Sequence, residues 1–385
     1  MPAYILPFLA GSILGLLACE FADRWGCSQR YRSPMSKKNF ITIMSGIGAA
    51  WLHWWMMENQ MLLPAGTSLP LKAAPSNLMP MQQMYFDVIP HTFIYMILFT
   101  FLLAATLTDF YEMIIPDTIT VFGTVLALLF AVFCPLSALP VTELQWTDGF
   151  MLVVAERVFS MHVWSPNPVG TGTSSLLIII LLWWFWCFAM LDRVWYTKLP
   201  FRKANAIFWR YLYRSPRTKY YLAAALIAPI FLVWANCFAL ISAASEIALL
   251  SALVGMAAGM VLVWSIRLVA QWVLGVEAMG FGDVTLMGMI GAFLGWQPAL
   301  LVFFMAPFFG LVYGMINAIL GRGRAVPYGP FLCLAAVVVV VAWSPIWSAT
   351  AEYFAFGIEI IGLALFGLLF LFAGLLHLVH KIMPR

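Results

Sequence analysis

The chain has 385 residues, of which 64% are hydrophobic and 9% are charged, and its mean hydropathy is +0.95. Soluble domains average about 25% charged residues, so this composition excludes an ordinary soluble domain and indicates a membrane protein that crosses the bilayer several times. The net charge of +4 does not indicate a nucleic-acid partner, because basic residues in membrane proteins mainly report topology.

Apolar segments recur along the whole chain. A transmembrane helix needs about 20 mostly apolar residues, and on this criterion we predict an all-α polytopic membrane protein with about 9–11 transmembrane helices. The first segment carries its charges after the apolar run, which predicts a retained helix rather than a cleaved signal peptide. The predicted spans are 3–19, 41–57, 91–108, 118–135, 174–192, 221–244, 247–270, 284–297, 299–320, 329–346 and 356–379.

The loops divide the chain into three predicted parts. These are N-terminal helices with a cytoplasmic and an outer loop (1–90), a core that carries two acidic turns and has inserts at 136–173 and 193–220 (91–346), and a C-terminal transmembrane helix (347–385). The outer loops 58–90 and 136–173 are long and rich in Pro, Ser, Thr and Gly. We expect each of these two outer loops to form a small folded or partly ordered structure outside the membrane.

The basic residues predict the orientation. Of the 20 Lys and Arg residues, 17 fall in loops on one side of the predicted spans, and only Lys72 and Arg157 fall on the other. Because cytoplasmic loops carry the excess of Lys and Arg, the N-terminus is predicted outside and the C-terminus in the cytoplasm. The basic loop 193–219 is expected to orient the protein and to contact anionic lipid headgroups.

Two acidic turns fall on the predicted cytoplasmic face. Asp109 ends one span in the stretch LTDFYEMIIPDTIT, and Asp283 begins another in EAMGFGDVTLMGMIGAFLGW. Gly280 and Gly282 precede Asp283, and glycine permits a tight turn or a close backbone approach there. The topology therefore predicts that two carboxylates far apart in sequence lie at the same membrane depth.

Such a pair has a well-defined chemistry. Two close carboxylates share one proton and titrate as a coupled unit, so one can activate water while the other protonates a peptide group. The alternative interpretation is structural, since acidic residues at helix ends often cap backbone N–H groups. We expect that role for Asp117, which follows Pro116, and it would also suit Asp109 or Asp283 taken singly.

The motifs resemble those of the type IV prepilin leader peptidases, which are polytopic aspartic peptidases of the GxGD type. The family's first turn has Asp, six intervening residues and a Pro-Asp pair, as in TDFYEMIIPD. Its second turn reads GxGDxK, matched here by GFGDVT with Thr285 at the position of Lys. Pro327, Gly329 and Pro330, in the stretch AVPYGPFLCLAA, and the sequence GSILG at 11–15 also resemble the family.

The resemblance implies that Asp109 and Asp283 are the catalytic dyad of a membrane aspartic endopeptidase. The supporting motif residues are then Gly280, Gly282, Pro116, Asp117, Pro327, Gly329 and Pro330. The implied substrate is a pilin-like precursor with a short basic leader, cut after a glycine at the cytoplasmic face of the inner membrane. The precursor would belong to a type IV pilus, a type II secretion machine or a competence system, and the sequence does not distinguish among them.

No metal or cofactor is expected for proteolysis. Many family members carry two CxxC pairs that bind zinc in the first cytoplasmic loop, whereas that loop here has Cys27 alone, and the chain has no CxxC anywhere. The scattered cysteines therefore predict no zinc site. Some members also methylate the new N-terminus with S-adenosylmethionine, an activity of the N-terminal region. Since that region is altered here, methylation is not supported.

Three other functions remain open at this point. A GxGD intramembrane protease with other single-span substrates would place its acids deep in the bilayer. A transporter or channel would have acids and broken helices near the midplane, whereas the acids here are predicted at one face. An inactive homologue could serve as an assembly scaffold.

Overall fold

The structure is a computed structural model that describes residues 2–25, 35–58, 80–135, 139, 141–147, 150–156, 173–191, 209–210, 214–238, 240–274, 279–320, 327–354 and 357–382. Cys27, most of the outer loop 58–90 and most of the basic loop 193–219 lie outside these residues.

The described residues form twelve helices and one β-hairpin. The helices are α1 (Pro2–Trp25), α2 (Met35–Glu58), α3 (Pro80–Glu112), α4 (Asp117–Phe133), α5 (Thr173–Ala189), α6 (Pro216–Cys237), α7 (Ala243–Leu274), α8 (Phe281–Leu294), α9 (Trp296–Ile319), α10 (Gly329–Val341), α11 (Trp343–Phe354) and α12 (Gly357–Ile382). The hairpin consists of β1 (Val141–Thr147) and β2 (Phe150–Glu156), which pair antiparallel from Val141 opposite Glu156 to Thr147 opposite Phe150.

The predicted helical membrane fold is confirmed. Within the described part of the chain, six helices are long and apolar enough to cross a membrane. The pair α10 and α11 would make a seventh span, and α4, α5 and α8 are shorter apolar helices. Every predicted span has a helix at its position, whereas the orientation of the termini stays a prediction.

Three details differ from the expectation. The helix that carries Asp109 begins at Pro80, so the outer loop is shorter than predicted. The predicted span 329–346 is bent by 93° between α10 and α11, which apolar composition cannot reveal. The insert 136–173 holds the hairpin, whose short strands lie among loop-forming residues and gave no clear sequence signal.

Helix α8 lies at the centre of the core. Every residue from Asp283 to Leu294 is buried, and the helix packs against α7, α4 and α9. A helix that is hydrophobic on all sides is a buried helix, and the sequence VTLMGMIGAFL has no polar face. Asp283 thus begins a rigid, fully enclosed element.

Glycines let α7 and α8 approach backbone to backbone. A Cβ atom added at Gly255 would collide with the carbonyl oxygen of Gly291, and one at Gly291 would collide with that of Gly255. Gly259 lies equally close to the carbonyl of Met287. Small residues at this spacing are the usual means of close packing between membrane helices, where van der Waals contact replaces the hydrophobic effect.

We therefore expect Gly255→Val to destabilise the core. The added side chain has no space between two backbones, and overpacking of this kind lowers the free energy of unfolding by about 1–3 kcal/mol or more. Unfolding of the purified protein in detergent micelles measures the effect. The matched control is Gly367→Val in α12, where an added Cβ meets no atom within 4 Å; equal stability of the two variants would contradict the packing account.

The pair α5 and α6 is held by tryptophan side chains. Pro229 lies inside α6, and a proline removes the hydrogen bond to the carbonyl four residues earlier, which here belongs to Ala225. The Trp184 indole N–H of α5 donates to that carbonyl at 2.8 Å, and Trp183 donates to Ala224 at 3.1 Å. In a bilayer such carbonyls need an internal donor, so the tryptophans fix α6 against α5.

Candidate active site

Asp109 lies in the last turn of α3, just before a tight reversal of the chain. The backbone N–H of Met113 donates to the Asp109 carbonyl at 2.9 Å, and Met113 has a φ of 55°. A residue in this left-handed conformation commonly ends a helix. The reversal carries the chain from Asp109 to Pro116, which has extended backbone and precedes α4.

The start of α10 contacts Asp109 directly. The backbone N–H of Gly329 donates to Asp109 Oδ2 at 3.1 Å. A methyl group added at Gly329 would lie 2.5 Å from this oxygen and 2.7 Å from Ile115 Cδ1. Glycine at 329 therefore allows α10 to begin against the carboxylate and to donate a hydrogen bond to it.

Asp283 lies in the first turn of α8, after Gly280, whose extended backbone caps the helix without a side-chain hydrogen bond. A Cβ atom at Gly282 would lie 2.9 Å from both the Cβ and the carbonyl oxygen of Ile115. Ile115, which lies between the two acids of the first turn, thus contacts the glycine turn of α8 as well as Gly329. The two acidic turns meet at this residue.

The structure brings Asp109 and Asp283 into one cavity. The two residues are 5% and 8% exposed, and both line a cavity of about 1230 Å³. The charge of Asp109 is close enough to act on Asp283. Two buried carboxylates that interact in this way meet the requirement for a coupled pair.

Two further groups lie close enough to Asp283 to interact with it electrostatically. Tyr328 lines the same cavity, and burial, with a contribution from the charge of Asp283, raises the pKa of its phenol above the ordinary value. The phenol therefore stays neutral and can donate a hydrogen bond. Arg267 of α7 lies with its guanidinium 5.8 Å from the centre of the Phe281 ring, and its charge also acts on Asp283.

Thr285, at the position where the family usually has Lys, has a structural contact. Its hydroxyl lies on the buried face of α8 and receives a hydrogen bond from the Thr120 hydroxyl of α4 at 3.0 Å. It also bonds to the Gly282 carbonyl at 3.0 Å. The threonine pair ties α8 to α4, and a cation near Asp283 comes instead from Arg267 on α7.

Asp117 does not have the expected capping role. Pro116 occupies the N-cap position of α4, and no side chain caps the helix. Asp117 is the first helical residue, where a negative charge favours the helix dipole, and its carboxylate lies 3.9 Å from Arg217 of α6. This ion pair lies at the wall of the cavity, so at least one cation of the basic insert faces the candidate site.

The predicted residues divide into those that the structure brings together and one that it does not. Pro116, Asp117, Gly280, Gly282 and Pro327 line the cavity with the two acids, and Gly329 contacts Asp109. Pro330 instead lines a separate apolar cavity that borders α1, α2 and α3. Within the described ranges, no three His, Cys, Asp or Glu side chains cluster so as to hold a metal ion.

Sequence reasoning missed Ile115, Tyr328 and Arg217 as members of the site. Ile115 and Tyr328 lie inside the quoted motifs, so their closeness to the acids was a usable signal. Arg217 was grouped with the other basic residues of its loop. Only the position of α6 across the cavity from α4 distinguishes it from them.

Part of the chain matches the type IV leader peptidase family. The family model covers residues 218–315, a range that contains Asp283 and its glycines but not Asp109. No solved structure matches the chain.

Curated relatives agree with the family match. The chain is 35% identical to the prepilin leader peptidase/N-methyltransferase of Aeromonas salmonicida over 88 residues, which are 22% of this chain and 30% of the relative. A protein of the same name from Stutzerimonas stutzeri is 33% identical over 108 residues, 27% of this chain and 36% of the relative. A protein of the same name from Pseudomonas aeruginosa is 36% identical over 87 residues, which are 22% of this chain and 30% of the relative.

The matched stretch spans about a third of the length of these relatives. The predicted resemblance is confirmed for the second acidic turn: residues 218–315, which contain Asp283, carry the pattern of the type IV leader peptidases.

Proposed function

We propose that the protein is a membrane aspartic endopeptidase that removes the leader from pilin-like precursors. The observation that carries this proposal is the meeting of Asp109 and Asp283, from turns far apart in sequence, in one cavity beside a family-matched segment. A structural role for each acid singly would not require the two to line one cavity.

The dyad would work by general acid–base catalysis. Asp109 already accepts a hydrogen bond from the Gly329 N–H, and a hydrogen bond to a carboxylate favours its charged form. Asp283 accepts a backbone hydrogen bond from Gly280 in the same way, so either carboxyl can hold the charge. The ionised member of the pair would take a proton from the attacking water, and the protonated member would donate to the carbonyl oxygen or to the leaving nitrogen.

The neighbours of the dyad support this chemistry. The neutral phenol of Tyr328 lines the same cavity as the dyad and could donate to the negative charge that develops on the substrate carbonyl, as a preorganised donor does in other hydrolases. Burial of both acids excludes water from all sides but the cavity. No covalent nucleophile is required.

The substrate and the membrane orientation are parts of the same proposal. The relatives are named prepilin leader peptidases, and the distribution of Lys and Arg among the loops supports a position of the acidic turns at the cytoplasmic face of the inner membrane. A leader that emerges there would reach the dyad without unfolding a domain. The relatives are also named N-methyltransferases. Because the N-terminal region linked to that activity is altered here, the proposal covers the peptidase activity, and S-adenosylmethionine would be needed only if methylation is retained.

Purified protein in detergent, mixed with a pilin-like precursor, tests the proposal. We expect one cut that removes the basic leader, seen as a single loss in intact mass, and an unchanged rate when a chelator is added. If several such precursors remain intact while another single-span protein is cut, the substrate is wrong and the intramembrane protease takes its place. If no protein is cut, the dyad is not catalytic and the scaffold or transporter functions return.

A further inference from the structure

The cavity that holds the dyad continues along one face of α4. Thr118, Val121, Phe122 and Val125 line it in succession, on positions that share a helix face. The eight steps from Asp117 to Val125 rise about 12 Å along the helix. The cavity is therefore a groove that leads from the carboxylates towards the apolar part of α4.

Helix α6 forms the opposite wall. Tyr220 and Tyr221 line the groove, and Met190, which follows α5, adds to this wall. Tyr221 also packs edge-on against Trp186 of α5 at 6.3 Å. Because α6 is fastened to α5 by the tryptophan hydrogen bonds described above, it stands beside α4 and leaves the groove between them.

The groove has the size of a short helix. A helix of about 10–12 Å diameter and 5.4 Å pitch occupies roughly 420–610 Å³ per turn. The cavity of about 1230 Å³ thus holds two to three turns. Its lining along α4 is apolar from Val121 to Val125, and its charged groups, the Asp117–Arg217 pair and the dyad, lie at one end.

We propose that this groove between α4 and α6 docks the apolar helix that follows the cut bond in the precursor. The inference rests on the proposed function. A single groove continuous with the two carboxylates fits one occupant best: a peptide whose scissile bond lies at Asp109 and Asp283 and whose next turns are apolar. The exposed ring of Phe122, 45% accessible, would contact those turns.

A groove-filling variant tests the docking. The comparison uses two substrates, the full precursor and a short peptide that spans the cut but lacks the apolar helix. Val125→Trp should lower kcat/KM for the precursor at least ten-fold more than kcat/KM for the peptide. The difference should come from a higher KM for the precursor. The control is Leu129→Trp, one turn further along α4, exposed and outside the cavity lining, which should keep the precursor-to-peptide ratio. An unchanged ratio in Val125→Trp would overturn the docking site.

Photo-crosslinking provides a measurement that does not depend on the stability of that variant. With a photoreactive phenylalanine at position 122 and Asp283→Asn to prevent turnover, the crosslink should map to the apolar helix of the precursor. A crosslink to lipid alone would overturn the proposal. If the wild type cuts neither the precursor nor the peptide, the proposed function itself has failed. If the wild type cuts the precursor but no crosslink to its apolar helix forms, only the docking site is wrong.

Discussion

Asp109→Asn and Asp283→Asn should each abolish processing of a co-expressed precursor while the protein remains inserted in the membrane. Asparagine keeps the size of the side chain but cannot share or transfer the proton. General acid–base groups contribute roughly 10²–10⁴-fold to a rate, and the two members of a coupled pair depend on each other. We expect the loss at either position to be near the upper end of this range.

An immunoblot that separates precursor from mature protein measures this effect. The matched control is Glu112→Gln, which removes a carboxylate from the same turn as Asp109 but does not line the cavity. It should process the precursor at the wild-type rate. Persistent processing by both Asn variants would mean that the acids are structural.

Gly329→Ala should give the second largest loss. The new methyl group would lie 2.5 Å from Asp109 Oδ2 and 2.7 Å from Ile115 Cδ1, so either the carboxylate or the start of α10 must move. Displacement of a catalytic group by about 1 Å can lower a rate about 10²-fold. We expect a drop in kcat of about 10–100-fold, with KM less affected because the groove along α4 is unchanged.

Two measurements on each protein check this prediction, steady-state kinetics and a thermal unfolding curve. A lower kcat with an unchanged unfolding temperature indicates that the carboxylate has moved, whereas a lower unfolding temperature indicates a general loss of stability. Gly314→Ala in α9 is the matched control, because an added Cβ there meets no atom within 4 Å. Its kcat should equal that of the wild type. A Gly329→Ala enzyme with normal kcat would show that α10 does not position Asp109.

Much of the fold could be predicted because the bilayer restricts the options. Apolar runs of helix length predicted the positions of the described helices other than α11, and the uniformly apolar sequence after Asp283 is typical of the buried helix α8. The bend of 93° after Val341 could not be predicted, since both halves are apolar and only packing against the other helices sets their angle.

The candidate site was predictable in its chemistry but not in its contacts. Topology predicted that the two acidic turns lie on one face, and the structure places Asp109 and Asp283 in one cavity. The expected N-cap role of Asp117 was wrong because Pro116 takes that position and Arg217 attracts the carboxylate. Contacts between helices distant in sequence, such as that of Thr120 with Thr285, leave no periodic signal.

The most direct test of the central claim, that Asp109 and Asp283 act as one catalytic unit, is a comparison of residual leader-cleavage rates. The wild type, the two single Asn variants and the double Asn variant would be purified and measured together. Residues that act as a unit are strongly non-additive, so the account predicts that the double variant is no slower than the slower single variant. Losses that multiply in the double variant, or a single variant within ten-fold of the wild type, would contradict it.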